Sequence, residues 1–446
     1  MPNSPRSMPN CRRSCGKSMW PRRWSPMRNG RIVLLSDYIG GEGPGSGGAG
    51  HAALDSYRAL RAAGADVHVM AGFGEPPAIE PERFRGLGGA DLRGGGAGAM
   101  LRAIYNPDAG AMLSREVAGL DPDTTLIVLH QWTRYLSPAA LRIASRFPIM
   151  IYMHDYFWVC PNGIYYDFAA GRPCDRRPMR RHCLTSDCDR QGRLPKLGRL
   201  ARHAMRHMAT ATRPSRRLFL HLSEHAQRTI MPLLPEQRHA VLHNPLSLSD
   251  IEPPPAPPPT YDVGYFGRLE QDKGVELLVE ALRETGRTGL FVGQGSLEPL
   301  LHATPGITHR SWQPRETMAA AMRSCRVVVL PSLWNETWGL IIAEAMAAGV
   351  TVLVSSRAGS SELVRRFGGG QMFDPGQTGS LAASLRQMLG APPSPTRQHG
   401  ALRRFLSPER HAARIMGLAE SHFGLSLRSD DRRVRTSAPH SVSRPA

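Results

Sequence analysis

The chain lacks any long apolar segment. Among its 446 residues the longest apolar runs, such as Pro148–Met153 and Val327–Leu330, fall far short of the roughly 20 residues that a transmembrane helix needs. Residues 1–30 carry seven Lys and Arg and no acid, but they have no apolar core like that of a secretory signal. We therefore expect a cytoplasmic protein, with disordered polar tails at residues 1–29 and 426–446.

Cysteine is also scarce. Only seven cysteines are present, and no two of them are spaced as a C-x2-C pair. Four thiolates brought together could form a structural zinc site, whereas permanent disulfides are not expected in a cytosolic protein. Scattered thiols in a variable insertion would give the same spacing, so both interpretations stay open. The four candidate ligands are Cys160, Cys174, Cys183 and Cys188.

Acidic residues are outnumbered, 37 against 56 Lys and Arg, which gives a formal net charge of +19. Much of the excess lies in residues 172–238, where there are sixteen Lys and Arg and five Asp and Glu. This stretch indicates an anionic partner, such as the inner surface of the membrane or a lipid-linked diphosphate, unless it is only a solvated arginine-rich face. A nucleic acid is not expected, because no RNP, helix-turn-helix or zinc-finger pattern is present.

The first half of the chain shows the alternation of strands and helices that is typical of a doubly wound sheet. A helix is predicted over residues 51–63, and the glycine-rich residues 39–50 form the turn that precedes it. Residues 86–99 are so rich in glycine that we predict a flexible loop. The predicted strands are Arg31–Ser36, Asp66–Met70, Thr125–Leu129 and Pro148–Met153.

A second alternation follows a stiff polyproline stretch at residues 252–260. The sequence therefore predicts an α/β protein with two Rossmann-like, doubly wound parallel-sheet domains, at residues 30–250 and 261–407, joined by a linker at 251–260. Ligands are expected in the cleft between the domains. In the second half the predicted strands are 262–266, 289–292, 326–330 and 351–355, and the predicted helices are 275–282, 316–323 and 340–348.

The most informative segment is 331–349. A buried strand leads into a loop with Glu336 and then into an Ala- and Ile-rich helix that starts after Gly339 and carries Glu344. The open amides of a helix start, here Gly339 and Leu340, favour an anion such as a diphosphate. At a rise of ~1.5 Å per residue, Glu344 lies roughly 7.5 Å below Gly339 and leans back toward it, so a ribose would be within its reach. This geometry suits a nucleotide sugar, although a surface loop and an amphipathic helix with one stray Glu would show the same spacing.

Arg268 and Lys273 lie in another predicted strand-to-helix loop, at the edge where open α/β sheets bind ligands. Two cations at this position can neutralise a departing diphosphate and so take the place of a metal ion. We therefore predict that catalysis requires no metal.

Together these segments resemble the retaining glycosyltransferases of family 4, which have the two-Rossmann GT-B fold. The resemblance depends on the E-x7-E spacing of Glu336 and Glu344 and on the G-R-x4-K-G element at residues 267–274. Trp338 stands where a Phe is usual, and Val350 replaces a Pro. The resemblance implies a hexosyltransferase that moves a sugar from a UDP- or GDP-sugar to a glycan or lipid-linked acceptor, in the synthesis of a cell-surface polysaccharide.

The same resemblance implies roles for single residues. Glu344 would bind the ribose and Glu336 the hydroxyls of the sugar. Arg268, Lys273 and the amides at the helix start would bind the diphosphate. His154, at the end of a predicted strand, would orient the sugar near its anomeric carbon. No residue is an evident covalent nucleophile, so the family expectation is front-face displacement assisted by the leaving phosphate.

Weaker features of the family can also be matched. Gly47 and Gly48 resemble a Gly-Gly loop that lies across the cleft from the diphosphate, although Gly40 and Gly41 are a rival match. His130 ends a neighbouring strand and is a weaker candidate for acceptor contact. By resemblance, residues 292–295 and Trp312 would line the base pocket, Glu362 would lie behind the donor, and a last helix within residues 408–425 would cross back to the first domain.

Two other functions stay open at this point. A nucleotide-sugar epimerase or hydrolase with the GT-B fold would share the nucleotide contacts, but it would not need a basic acceptor domain. A non-catalytic nucleotide-sugar or anionic-lipid binding protein would carry a dead site. The presence of Arg268, Lys273, Glu336 and Glu344 argues against the latter.

Overall fold

A computed structural model of the protein describes residues 30–40, 48–74, 78–93, 95–212, 216–246, 258–313, 315–391 and 398–427. The predictions for Gly47, for the N-terminal tail, and for most of the linker and of the C-terminal tail lie outside these residues. In the described part of the chain, no helix is both long enough and apolar enough to span a bilayer.

The first domain is built on a seven-stranded parallel sheet with the order β3-β2-β1-β4-β5-β8-β9. Two short strands, β6 (Tyr166–Asp167) and β7 (Arg172–Pro173), form a separate antiparallel hairpin. The sheet strands are β1 Arg31–Ser36, β2 Asp66–Ala71, β3 Phe84–Gly86, β4 Thr125–Leu129, β5 Ile149–Met153, β8 Arg217–His221 and β9 Arg238–Val241.

Seven helices accompany this sheet in the described residues. The helix α2 begins inside the segment that the sequence predicted to be a loop, because a short Ala-, Met- and Leu-containing stretch follows the glycines. The helices are α1 Gly48–Ala62, α2 Ala97–Ile104, α3 Pro107–Glu116, α4 Ser137–Ala144, α5 Arg181–Thr185, α6 Arg193–Ala209 and α7 Glu224–Ile230.

The second domain contains a six-stranded parallel sheet with the order β12-β11-β10-β13-β14-β15. Its strands are β10 Tyr261–Phe266, β11 Gly289–Val292, β12 Ile307–Arg310, β13 Cys325–Leu330, β14 Thr351–Ser355 and β15 Gly370–Phe373. Its helices are α8 Val275–Thr285, α9 Glu298–His302, α10 Arg315–Arg323, α11 Leu340–Ala347, α12 Ser361–Phe367, α13 Ser380–Leu389, α14 His399–Phe405 and α15 Pro408–Phe423.

The predicted fold class is therefore confirmed: two doubly wound parallel sheets. The central strands β1, β4, β5, β13 and β14 are buried along almost their whole length, which explains why they appear in the sequence as continuous apolar runs. Each strand order reverses direction once, between β1 and β4 in the first sheet and between β10 and β13 in the second. Open α/β sheets bind ligands at the carboxyl ends of the strands next to such a reversal.

The last helix, α15, packs on the first domain rather than on the second. His411 on α15 lies 2.9 Å from the Ser56 hydroxyl of α1 and 3.1 Å from the hydroxyl of Tyr152 on β5. Its other ring nitrogen lies 3.0 Å from the carbonyl oxygen of His243, just after β9. The two domains are therefore joined at one end by α15 as well as by the linker.

Candidate active site

A cavity of about 1030 Å³ lies between the two domains. On the second domain it is bordered by the loops that follow β10 and β13, the two strands at the reversal of the strand order. The sequence-predicted residues that line it are Gly48, Arg268, Lys273, Gln294, Trp312, Glu336, Gly339 and Leu340.

The loop that carries Arg268 packs against the loop after β11. A side-chain carbon on Gly293 would lie 1.8 Å from the carbonyl oxygen of Gly267, and one on Gly295 would lie 2.3 Å from that of Leu269. Glycine is therefore required in the second loop, the Gly-Gln-Gly part of the segment predicted to line the base pocket. Arg268 projects from this contact with its side chain 53% exposed, and its Nη2 lies 3.2 Å from Oδ2 of Asp272.

Lys273 and Glu336 form an ion pair inside the cavity. Nζ of Lys273 lies 2.7 Å from Oε1 of Glu336, and both side chains are largely buried. Ser332 donates a hydrogen bond to the other oxygen of the carboxylate. The loops of these two residues approach so closely that a side-chain carbon on Gly274 would lie 2.0 Å from the carbonyl oxygen of Pro331. The pair is therefore fixed by backbone packing, and both oxygens of Glu336 are oriented.

Gly339 begins helix α11 in a left-handed conformation with a φ of 95°. A side chain here would meet Leu330 at 2.5 Å and the Ser360 hydroxyl at 2.9 Å, so only glycine fits. Gly339 and Leu340 both face the cavity that Arg268 lines. A single anionic ligand can therefore contact the helix start and both cations, since helix starts and cations favour anions.

Glu344 lies one turn inside α11 and is half-buried. Its side chain does not line the cavity, in contrast to that of Glu336. Its role in ribose binding remains a prediction.

His154 lies at the domain interface, but its ring is turned toward the first domain. The imidazole stacks on Tyr152 with the ring centroids 5.4 Å apart, and its Nε2 lies 2.9 Å from Nδ1 of His130. Burial lowers the pKa of His154 to about 3, so both rings of the pair are neutral at pH 7. Thr337, in the loop before α11, donates a hydrogen bond of 2.8 Å to the carbonyl oxygen of His154. Neither histidine lines the cavity.

The next residue, Asp155, does line the cavity, and no role was predicted for it. Burial raises the pKa of its carboxyl group to about 6, although the Phe157 amide and Arg202 oppose this shift. The carboxyl group is therefore poised to change its charge near neutral pH.

Arg202 on α6 is a second cavity residue that was missed. Its side chain is buried. Its Nη1 donates a hydrogen bond of 3.2 Å to the carbonyl oxygen of Thr133, and the guanidinium lies 4.7 Å from the centre of the Phe157 ring. Its Nη2 is buried and has no hydrogen-bond partner in the described residues. Burial lowers its pKa to about 10, so it remains charged at pH 7. The excess of basic residues in 172–238 predicted an anionic partner for this part of the chain, but it did not single out Arg202.

Other arginines extend this basic side of the cavity. Arg190 on the first domain lies 2.5 Å from Glu270 on the second, so this ion pair bridges the domains. The remaining lining arginines of the first domain are Arg93, Arg134 and Arg199.

Glu362 lies away from this cavity. Its Oε1 is 2.6 Å from Nε2 of His243, and its Oε2 accepts a hydrogen bond of 3.1 Å from the amide of Glu224. These contacts line a separate cavity of about 910 Å³ at the junction of the domains with α15. Glu362 thus bridges the two domains there.

The four cysteines considered as zinc ligands line one small cavity of about 10 Å³. All of them are free thiols. Nevertheless, no group of three or more His, Cys, Asp or Glu side chains in the described part of the chain is arranged as metal ligands. The structure thus brings the four thiols together, but it shows no zinc site among the residues that it describes.

Part of the chain matches a known protein family. Residues 260–391 fit the family model described as Glycosyl transferases group 1. The 2-deoxystreptamine glucosyltransferase of Streptomyces kanamyceticus is 28% identical over 173 residues, which make up 36% of this chain and 44% of that protein. The chain thus spans less than half the length of this curated relative.

Solved structures share the fold over most of the chain. The sucrose-phosphate synthase of Thermosynechococcus elongatus superposes with a TM-score of 0.62 at 18% identity, covering 89% of this chain and 100% of that one. HepE of Anabaena, in complex with UDP and glucose, gives a TM-score of 0.58 at 16% identity, covering 88% and 100%. At these identities the likeness shows the fold alone, and that fold is GT-B.

Proposed function

We propose that this protein is a retaining hexosyltransferase. The proposal starts from its GT-B fold and from the match of residues 260–391 to the Glycosyl transferases group 1 family. The protein moves a sugar from a UDP- or GDP-sugar to a glycan or lipid-linked acceptor, in the synthesis of a cell-surface polysaccharide. The observation that carries the proposal is one cavity lined by Arg268, by the Lys273–Glu336 pair and by the start of α11.

On the donor side, the arrangement suits a diphosphate with a sugar at one end. Arg268, Lys273 and the amides at Gly339 and Leu340 converge on one space, so the phosphates bind there. Because Lys273 and Ser332 hold the carboxylate of Glu336, its remaining lone pairs can accept hydrogen bonds from the sugar hydroxyls. Glu344 binds the ribose in this proposal.

The same cations account for the chemistry. The bond between the anomeric carbon and the β-phosphate oxygen breaks, and the acceptor oxygen bonds to the same face of that carbon. The acceptor hydroxyl gives its proton to the departing phosphate oxygen. Arg268 and Lys273 stabilise the charge that develops on this oxygen, which is the part that a metal ion would otherwise perform. The family resemblance assigns the positioning of the sugar to His154, and its neutral ring would have to turn away from His130 to reach the cavity.

On the acceptor side, the cavity is basic. Arg202 presents a buried N–H group that has no partner in the part of the chain that the structure describes, and Arg190 and Arg199 lie on the same wall. A buried N–H group that lacks a partner is costly unless a ligand accepts from it. This feature favours an acceptor that carries a phosphate or diphosphate, and it favours transfer over epimerisation or hydrolysis, which require no acceptor.

The test is a donor panel. The purified protein is incubated with UDP- and GDP-sugars, with and without polyprenyl-diphosphate-linked glycans, and the released nucleotide and the anomeric configuration of the product are measured. UDP-glucose comes first, because HepE was solved with UDP and glucose. We expect turnover that depends on the acceptor, retention of configuration, and full activity in EDTA.

Each part of the proposal can fail separately in this assay. An inverted product would overturn the retaining mechanism, and loss of activity in EDTA with recovery on adding a divalent ion would overturn the role given to the two cations. An epimerised or free sugar formed at the same rate without acceptor would identify an epimerase or hydrolase. Nucleotide-sugar binding without turnover of any donor would identify a binding protein.

A further inference from the structure

The exposed apolar side chains of the protein are concentrated on one surface. Nine large apolar residues are exposed in the described part of the chain, and six of them belong to α2, α5 and α6 of the first domain. Leu194 and Met208 on α6 are the most exposed, at 69% and 70%. We call this set the apolar patch, and its members are Met100, Leu101, Leu184, Leu194, Leu197 and Met208.

Helix α6 exposes its apolar face and buries several basic side chains, which is the reverse of an ordinary surface helix. Its exposed positions Leu194, Leu197, Ala201, Ala204 and Met208 follow steps of three and four residues, so they form one stripe along the helix. A surface helix normally turns such a stripe toward the core and its charges toward water. Here the buried residues of the helix are instead Lys196, Leu200, Arg202, His203 and Arg206.

The buried face of α6 is fixed by specific contacts, so the inversion is not a loose arrangement. The guanidinium of Arg202 lies over the Phe157 ring, and that of Arg206 lies 5.2 Å from the centre of the Trp158 ring. Nζ of Lys196 donates to the carbonyl oxygens of Cys183, at 2.6 Å, and of Ser186, next to α5. These contacts leave the apolar stripe on the outside.

Helix α2 extends the patch. None of its residues is buried, although the helix is largely apolar. It crosses α6 where Met100 approaches Gly198: a side-chain carbon on Gly198 would lie 3.6 Å from Cγ of Met100. The apolar side chains of the two helices therefore form one continuous surface.

The border of the patch is positively charged. Arg177, Arg180 and Arg181, at the start of α5, are exposed and make no ion pair with any carboxylate that the structure describes. On α6 the most exposed cation is Arg193, whose Nε lies 3.5 Å from Oδ2 of Asp187. An apolar surface with a basic border complements an anionic bilayer, into which the apolar side chains insert while the arginines contact the headgroups.

We propose that α2, α5 and α6 form a docking surface for an anionic lipid bilayer. A second copy of this chain fits the surface less well, because a two-fold dimer would bring the same basic border against itself. Helix α6 also carries Arg199 and Arg202, which line the interdomain cavity. The docking surface and the cavity therefore share this helix.

The experiment is sedimentation of the full-length chain with vesicles, without any sugar donor, so that its outcome does not depend on the transferase proposal. Vesicles of phosphatidylcholine alone are compared with vesicles that also contain phosphatidylglycerol. We expect binding only to the anionic vesicles, and weaker binding as salt is raised.

Three variants separate the two parts of the surface. Leu194→Gln/Leu197→Gln should weaken binding at least tenfold. Arg177→Gln/Arg180→Gln/Arg181→Gln should weaken it on the order of a hundredfold, since each charge near an anionic surface contributes about fivefold. Met231→Gln/Met372→Gln, which changes exposed apolar residues elsewhere, is the matched control and should bind as the unmodified chain does.

The result that overturns the proposal is equal binding by the patch variants and the control, or no binding to anionic vesicles. The chain could instead fail to bind vesicles and form a dimer in sedimentation velocity. If Leu194→Gln/Leu197→Gln dissociated that dimer, the patch would be assigned to self-association. Circular dichroism and thermal melting of each variant verify that it is folded. If the leucine pair unfolds, Met208→Gln supplies the same test from the other end of α6.

Discussion

At the scale of single residues, the two cations that the second domain contributes to the cavity are held differently. Lys273 is largely buried and already paired with Glu336 at 2.7 Å. Arg268 is half exposed and pairs with Asp272, a buried carboxylate whose Oδ1 has no hydrogen-bond partner among the described residues. Arg268 is therefore the cation that can turn toward a ligand with little loss, whereas Lys273 chiefly fixes the orientation of Glu336.

Arg268→Gln tests this difference. Removing one charged donor from a departing diphosphate should lower kcat about 10²- to 10³-fold, because such donors act mainly in the transition state. The assay is steady-state turnover with the best donor of the panel. Stability should change little, since Arg268 is exposed.

Arg386→Gln is the matched control for this prediction. Arg386 belongs to the same domain, is also 53% exposed, and pairs with Glu284 at 2.9 Å on α8. Its loss should leave kcat unchanged. Similar kcat values for Arg268→Gln and Arg386→Gln would remove Arg268 from the leaving-group site.

At the scale of elements, α15 is the best example of a helix whose partners lie far away in the sequence. It begins at Pro408, with Ser407 accepting a hydrogen bond from the Arg410 amide as the N-cap, and it ends at Gly424, whose φ of 70° suits glycine. On its buried face, His411 bonds to Ser56, to Tyr152 and to the carbonyl of His243. The helix therefore links α1, β5 and the segment after β9.

Replacing His411 by Leu should destabilise the protein by about 3 kcal/mol, because buried polar groups on three different elements lose their partner. The measurement is the free energy of unfolding in urea. His422→Leu on the same helix is the control, and it should change the stability by no more than about 0.5 kcal/mol, since its side chain makes no hydrogen bond that the structure describes. Equal losses for the two variants would show that α15 depends on apolar packing alone.

At the scale of the whole molecule, the two domains meet around the cavity through polar contacts. The hydroxyl of Tyr156 donates a hydrogen bond of 2.8 Å to the carbonyl oxygen of Asn335. The hydroxyl of Ser223 donates one of the same length to the carbonyl oxygen of Thr337. The interior of the molecule also contains several neutral histidines. Burial lowers the pKa of His154, His203 and His221 to about 3 and that of His411 to about 4.

These histidines predict a loss of stability in mild acid. In the unfolded chain each of them titrates near pH 6.5, so below that pH the unfolded state binds protons that the folded state does not. Stability is therefore complete above about pH 6.5 and decreases as the pH falls toward 4, by at most about 1.4 kcal/mol per pH unit for each histidine. The measurement is the melting temperature between pH 8 and pH 5.

A pair of variants on α6 isolates one of these groups. His203→Gln should flatten the decline of the melting temperature below pH 6.5, because His203 is buried. His207→Gln, one turn along and exposed, should leave the decline as it is. A flat pH profile in the unmodified protein would contradict the assignment of neutral, buried histidines.

The sequence by itself determined several strands and the positions of the loops that carry Arg268, Lys273 and Glu336. Both faces of a parallel strand are buried, so β1, β4, β11 and β14 have the bounds that their apolar runs predict. The left-handed φ of Gly339 is a local feature, whereas the close approaches of Gly274 to Pro331 and of Gly293 to Gly267 join segments that are far apart in the sequence. Short-range sterics and hydrophobic period are properties of neighbouring residues, and therefore a sequence shows them.

Only the tertiary structure decided which face of α6 is buried. The spacing of its apolar residues by three and four is visible in the sequence, but that pattern alone would predict that Leu194, Leu197 and Met208 are buried. Instead, Arg206 packs on Trp158, 48 residues earlier, and Arg202 packs on Phe157, 45 residues earlier. For the same reason Arg202 reaches the cavity and His154 turns toward His130. Such choices depend on contacts between distant segments, whose energies no local pattern contains.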